Sequence, residues 1–152
     1  MTDLSPFFTP QTVVLDFSAR KKGDVLRKVS QMLAGPGTGK ADSLEDALQR
    51  REILCSTGLG EGVAAPHVLL PGLEKTSLAF LRLRDPVDWR SPDGIPVRLV
   101  FALAGPAEDP AAHLQILSRL TRLLREPDFR ETVAAAASGE EVASAFRRTE
   151  EE

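Results

Sequence analysis

Apolar positions follow a strand-like period in some segments and a helical one in others. Gln11-Thr-Val-Val-Leu-Asp-Phe17 is β-branched and apolar, which predicts a strand. From about Asp24, the residues Val25, Leu26, Val29, Met32 and Leu33 recur at helical spacing, and the cluster Gly35-Pro-Gly-Thr-Gly39 supplies the stop. A second helix is predicted with Ser43 as its N-cap, Asp46 three residues on, and Leu44, Ala47 and Leu48 on its buried side. It carries Arg50 and Arg51 at its end, where cations complement the helix dipole.

Past this helix the chain changes character. Gly58, Gly60 and Gly62 alternate with other residues, and Val63-Ala64-Ala65 leads into Pro66-His67. Two strands are predicted next, Ser77–Leu83 and Ile95–Leu103, the second so uniformly apolar that it reads as a central strand buried on both faces. Asp109-Pro110 pairs an N-cap acid with proline at the first helical position, opening a helix to about Arg125. Ile116, Leu117, Leu120, Leu123 and Leu124 form its apolar stripe, and Pro127 breaks it. A last helical region, Asp128 to Phe146, is predicted to split at Ser138-Gly139, with Ser138 and Glu141 forming a capping box. Strands intermingled with helices predict an α/β domain whose helices pack on a central sheet.

Composition narrows the class. A chain of 152 residues fits one domain, residues 1–152, and can bury a core without disulfide or metal staples. The net charge of −3, with Lys and Arg scattered, leaves no electrostatic footprint for nucleic acid or an anionic membrane. The N-terminal Met1-Thr-Asp-Leu-Ser-Pro lacks the basic and apolar regions of a signal peptide, and no apolar run approaches a membrane span. A cytoplasmic protein with no membrane insertion is the expectation. The single Cys55 excludes an intrachain disulfide and is expected to be a small, half-buried core residue rather than a nucleophile. Two histidines and one cysteine argue against a structural zinc site.

That scarcity makes the histidines the candidate chemistry, because few other side chains here can act as nucleophile or base near neutral pH. His67 follows Pro66, which restricts its own φ and pushes Ala65 toward extended geometry, so the imidazole would sit on a defined loop. A solvated loop histidine is the plain alternative. His113 falls in the first turn of its helix and along the leucine stripe. It reads either as a satisfied core histidine or as a donor at a helix N-terminus suited to anions. Arg51 offers a guanidinium fork for a phosphoryl group, or else merely ends its helix in water. The glycines match neither the P-loop nor the dinucleotide fingerprint, and tight turns with close backbone approach are their expected role.

Arg51-Glu52 followed by Ser56-Thr57-Gly58-Leu59-Gly60-Glu61-Gly62-Val63-Ala64-Ala65-Pro66-His67 resembles the signature of type-2 enzyme IIA domains, the fructose/mannitol family of the phosphotransferase system. The resemblance continues through Leu99–Gly105 into His113-Leu114-Gln115-Ile116-Leu117 and covers nearly the whole chain, with features most like the nitrogen-regulatory branch. It implies an α/β sandwich around a mixed sheet. It also implies that His67 accepts a phosphoryl group from an HPr-like carrier, with His113 beside it and Arg51 on the phosphoryl oxygens. No cofactor and no metal are implied. The onward partner would be a regulated protein in the nitrogen-type branch or a IIB component in sugar transport, and no IIB or membrane portion accompanies the sequence. A binding module without phosphate chemistry is the rival from another class. The family pattern has glycine directly after the active histidine, whereas Val68 stands here and is expected to narrow partner access. A shallow site with an apolar rim, Val68 among its candidates, follows from a partner that must deliver its own histidine.

Overall fold

In the computed structural model, which describes residues 3–151, a short 3₁₀ turn (Ser5–Phe7) leads into β1 (Val13–Phe17), α1 (Lys22–Ala34) and α2 (Ala41–Leu54). Three short strands follow, β2 (Gly58–Gly60), β3 (Val63–Ala64) and β4 (His67–Leu70), then the long β5 (Ser77–Val87) and β6 (Val97–Pro106). The chain closes with α3 (Pro110–Leu124), α4 (Pro127–Ala135) and α5 (Gly139–Glu151). Met1, Thr2 and Glu152, the outermost residues of the N-terminal stretch and the acidic tail, lie outside the described residues.

The six strands form one mixed sheet in the order β1-β5-β6-β3-β2, with β4 also paired to β6. Alternation along β6 divides the core in two. Leu99, Phe101 and Leu103 pack with Ile116, Leu120, Phe129 and Phe146 on the side of α3, α4 and α5. Val100, Ala102 and Ala104 pack with Val25, Leu26, Val29, Leu44 and Leu48 on the side of α1 and α2. Helices on both faces explain why this strand is apolar at successive positions, and the predicted α/β architecture with a mixed central sheet is the one observed.

Several boundaries differ from expectation. The helix α2 begins at Ala41, not after Ser43, because the Lys40 carbonyl already accepts from the Leu44 amide at 3.0 Å and no side-chain cap is used. β5 extends past Leu83 to Val87, with irregular pairing to β6 between Arg82 and Val87. β6 starts two residues later than Ile95, immediately after Pro96, which has no N–H to give a ladder. The caps of the last helices follow expectation. Asp109 accepts from the Ala112 amide at 3.3 Å. Ser138 Oγ accepts from the Glu141 amide at 3.2 Å, and Glu141 reaches back to the Ala137 amide at 2.6 Å.

The glycine-rich segment, which periodicity left unassigned, is a hairpin. Glu61 and Gly62 take φ of 58° and 79°, the left-handed pair that turns β2 tightly into β3. At Gly58 a β-carbon would fall inside the Ser91 side chain, so only glycine permits that approach. The hairpin is fastened to α2 by the buried Glu52. Its carboxylate accepts from the Thr57 amide at 2.8 Å and the Thr57 hydroxyl at 2.7 Å, and pairs with Lys22 at 2.9 Å. Trp89 Nε1 donates to the same Thr57 hydroxyl at 3.2 Å, and Lys22 Nζ lies 5.1 Å from the centre of the indole. Every polar group in this cluster has a partner, the condition under which a buried carboxylate is tolerated.

Beyond the hairpin, β3 and β4 lie in succession along the same edge of β6 in one register. Val63 is opposite Leu99 and His67 opposite Leu103, on either side of Pro66. Pro66 interrupts the ladder without shifting it, since its carbonyl still accepts from the Leu103 amide at 3.0 Å. Among the described residues, no helix is long and apolar enough to cross a membrane.

The Glu52 cluster generates the first prediction. Glu52→Ala leaves the Thr57 donors and Lys22 without their acceptor and should lower the free energy of unfolding by about 3 kcal/mol, with Glu52→Gln losing less. Urea denaturation checks this, and an Ala variant with the midpoint of the parent protein would contradict the assigned role.

Candidate functional site

His67 opens strand β4 instead of sitting on a loop, and its position in the register with Leu103 turns it to the α3 face of the sheet. It is half-buried, and its Nδ1 lies 2.8 Å from the Ala65 carbonyl oxygen. A carbonyl only accepts, so Nδ1 carries the proton and, in the neutral ring, the lone pair is on Nε2. Backbone pairing on one side and this bond on the other fix both the position and the tautomer of the ring.

His113 comes to it from α3. As the fourth residue after the Asp109 cap it lies in the first helical turn, with 6 % of its surface exposed. The two imidazole centres are 5.8 Å apart, with ring planes inclined at 44°. Burial, and secondarily the charge that His67 can carry, push the His113 pKa below its ordinary value of 6.5. The buried Nδ1 of His113 has no hydrogen-bond partner among the described residues. It faces β6 at Gly105, where an added β-carbon would stand 3.2 Å from His113 Nδ1 and 3.2 Å from Thr76 Oγ1. The glycine therefore makes room for the second imidazole, a role the sequence pattern alone does not suggest.

Arg51 is on α2, the helix that packs against β4. Its Nη1 donates to the Cys55 carbonyl at 2.9 Å, capping its own helix, and among the described residues no hydrogen bond or ion pair joins it to either imidazole. The two histidines are thus brought together, while the guanidinium is held at the neighbouring helix end.

Two expectations are corrected. Val68 is not on a rim around His67. Alternation along β4 turns Val68 and Leu70 to the opposite layer, against the core of α1 and α2, so its branched side chain does not stand over the ring. Cys55 is exposed, not half-buried, because α2 carries its last turn away from the core and leaves Ile53 and Leu54 each 83 % exposed as well. Leu114, the residue directly after His113 on α3, is 65 % exposed. The largest described cleft, about 770 Å³, is lined by Phe17, Ala19, Arg20, Lys28 and neighbours and includes neither histidine. Among the described residues, no group of three His, Cys, Asp or Glu gathers in a way that could hold a metal ion.

Comparison with known proteins shows the family. The family model for the "Phosphoenolpyruvate-dependent sugar phosphotransferase system, EIIA 2" matches residues 6–148. The chain is 35 % identical over 144 residues to a nitrogen regulatory protein of Bradyrhizobium diazoefficiens, covering 95 % of this chain and 92 % of that one. It is 32 % identical over 136 residues to the fructose-specific EIIABC component of Bacillus subtilis, covering 89 % of this chain but only 21 % of that longer protein. Among solved structures, the nitrogen regulatory protein IIA-Ntr of Neisseria meningitidis superposes with a TM-score of 0.87 at 31 % identity, over 94 % of this chain and 98 % of that one.

The depressed His113 pKa generates a pH prediction. As pH falls below 6.5, the unfolded chain binds the proton before the folded one does, so native stability declines in that window and is fully present above it. Imidazole NMR titration should place His113 below the ordinary value, and His113→Gln should flatten the acid side of the stability profile. A midpoint for His113 above the ordinary value would refute the assigned environment.

Proposed function

The chain belongs to the EIIA type-2 family of the phosphoenolpyruvate-dependent sugar phosphotransferase system, and from that premise we propose that it is a cytoplasmic phosphocarrier loaded on His67 Nε2. The observation that carries the reading is the pair of imidazoles 5.8 Å apart, one with its Nδ1 committed to the Ala65 carbonyl. That spacing leaves room for one phosphoryl group bonded to the first ring and touched by the second.

In the proposed step, the Nε2 lone pair of His67 attacks the phosphorus of a phosphohistidine on an HPr-like carrier. The new P–N bond forms as the carrier's P–N bond breaks, and the bonding pair returns to the carrier's imidazole. Nδ1 of His67 keeps its proton throughout, held by Ala65. The barrier lies mainly in positioning and in the charge on the equatorial oxygens. His113, kept neutral by burial, would donate from Nε2 to one of these oxygens, and the bound dianion would in turn raise its pKa. Arg51 would supply the rest. Only Nη1 is engaged, and the remaining donors of its fork make no bond among the described residues.

We place the protein in the nitrogen-regulatory branch, where the phosphoryl state would govern binding to a target protein. Support comes from the two nitrogen regulatory proteins that the chain matches over more than nine-tenths of their length. Passage of the phosphate to a IIB component is the second reading, favoured by the 32 % identity to a fructose-specific EIIABC component. Either way the acceptor or donor is a protein, which suits a half-open site with the exposed Leu114 directly after His113.

Incubation with phosphoenolpyruvate, enzyme I and HPr should yield an acid-labile, base-stable phosphate that His67→Ala abolishes without unfolding the chain. Undiminished labelling of that variant would falsify the assignment. His113→Ala should still be labelled on His67 but hand the group on ~100-fold more slowly, the loss of about 3 kcal/mol typical of one transition-state donor. A label found on His113 in the parent protein would reverse the two roles.

A further inference from the structure

We infer that Thr76 is a positioning residue for His113, its hydroxyl donating to the buried Nδ1 through one water and so holding the ring's proton on Nε2. The inference starts from an atom that needs an explanation. Buried side-chain nitrogens in native proteins nearly always have a hydrogen-bond partner, in protein or in ordered water. Nδ1 of His113 is buried and has none among the described residues.

Gly105 identifies the partner. The point where its β-carbon would be lies 3.2 Å from Nδ1, 3.2 Å from Thr76 Oγ1 and 3.7 Å from Leu69 Cδ2. Nitrogen and hydroxyl therefore flank one small space floored by a glycine, no farther apart than twice the first distance but not in direct hydrogen-bond geometry, so one water between them is the arrangement the structure allows. The third neighbour is a methyl and can serve neither. Sheet register sets this arrangement. Ser77 is opposite Ala104 in β6, which brings the preceding Thr76 alongside Gly105, and Gly105 in turn faces Leu69 of β4 on the side of His67.

A threonine hydroxyl can both donate and accept, so the direction follows from the work proposed for the ring, and in this the inference rests on the phosphocarrier reading. A donor to a phosphoryl oxygen on His67 must present N–H at Nε2, which requires Nδ1 to accept. Burial keeps the ring neutral, and a neutral imidazole with no partner at Nδ1 could place its proton on either nitrogen.

The test uses the full-length protein labelled with ¹⁵N-histidine, unphosphorylated and above neutral pH. Long-range ¹H–¹⁵N spectra should give His113 as the Nε2–H tautomer in the parent and in Thr76→Ser. In Thr76→Val, isosteric but without the hydroxyl, they should give mixed or Nδ1–H character. In a reconstituted phosphotransfer assay Thr76→Val should pass the group onward roughly tenfold more slowly, the scale of losing an outer hydrogen bond that orients a site, with Ser restoring the rate. A parental tautomer in Thr76→Val, a parental onward rate, or a loss that Ser does not restore overturns the inference. If the parent protein takes up no phosphate at all, the phosphocarrier reading fails, and the tautomer of His113 in the two variants then decides the inference by itself.

Discussion

The pairing of β4 with β6 is the constraint on which the site depends. Because side chains alternate along a strand, the register that sets His67 opposite Leu103 also decides which layer receives the imidazole. A slip of one residue would bury Val68 under α3 and turn His67 into the apolar layer of α1 and α2. The register is secured upstream by β3, where Val63 faces Leu99, and it survives Pro66 because that residue's carbonyl still joins the ladder. Placing the imidazole on a paired strand also limits its motion, and the bond from Nδ1 to Ala65 removes its rotational and tautomeric freedom.

A second constraint holds that strand run in place. Glu52 would be costly to bury alone, and it is tolerated because Thr57, Lys22 and, through Thr57, Trp89 satisfy it. The cluster ties the end of α2 to the start of the hairpin, and hence Arg51 to the neighbourhood of the strand that carries His67. The residues that make the glycine-rich motif recognisable are therefore largely scaffold. Gly58 allows close approach to Ser91, Glu61 and Gly62 turn the hairpin, and Thr57 with Glu52 fastens it.

The electrostatics of the pair follow from their unequal burial. His113, almost wholly enclosed, resists protonation, so the half-exposed His67 faces a neutral neighbour. In the phosphocarrier role we propose, a neutral His113 beside His67 would suit an anion that arrives with one protein and departs with another. Such chemistry needs no deep cavity, and the cleft of about 770 Å³ lined by Phe17, Arg20 and Lys28 includes neither histidine. Binding energy for the encounter would come from the surface around the pair, and the exposed Leu114, directly after His113, would contribute apolar area.

Local pattern by itself determined much of this protein. The apolar stripe of α3, the Asp109-Pro110 start, the Ser138–Glu141 cap and the buried character of β6 are each set by residues within a few positions of one another, so they are legible in the chain. The alternating glycines and the run into Pro66-His67 also sufficed to mark the candidate site and the family. What local pattern did not contain is anything decided across the sheet. The strands β2, β3 and β4 are too short to carry a period, and they exist because β6 and Glu52 hold them. The inward turn of Val68, the exposure of Cys55 and the space that Gly105 leaves for His113 depend on register and layer, not on neighbours in sequence. Sequence named both histidines, but only the tertiary structure could bring their rings together, because residues so far apart along the chain meet only where a strand and a helix from different segments pack on one face.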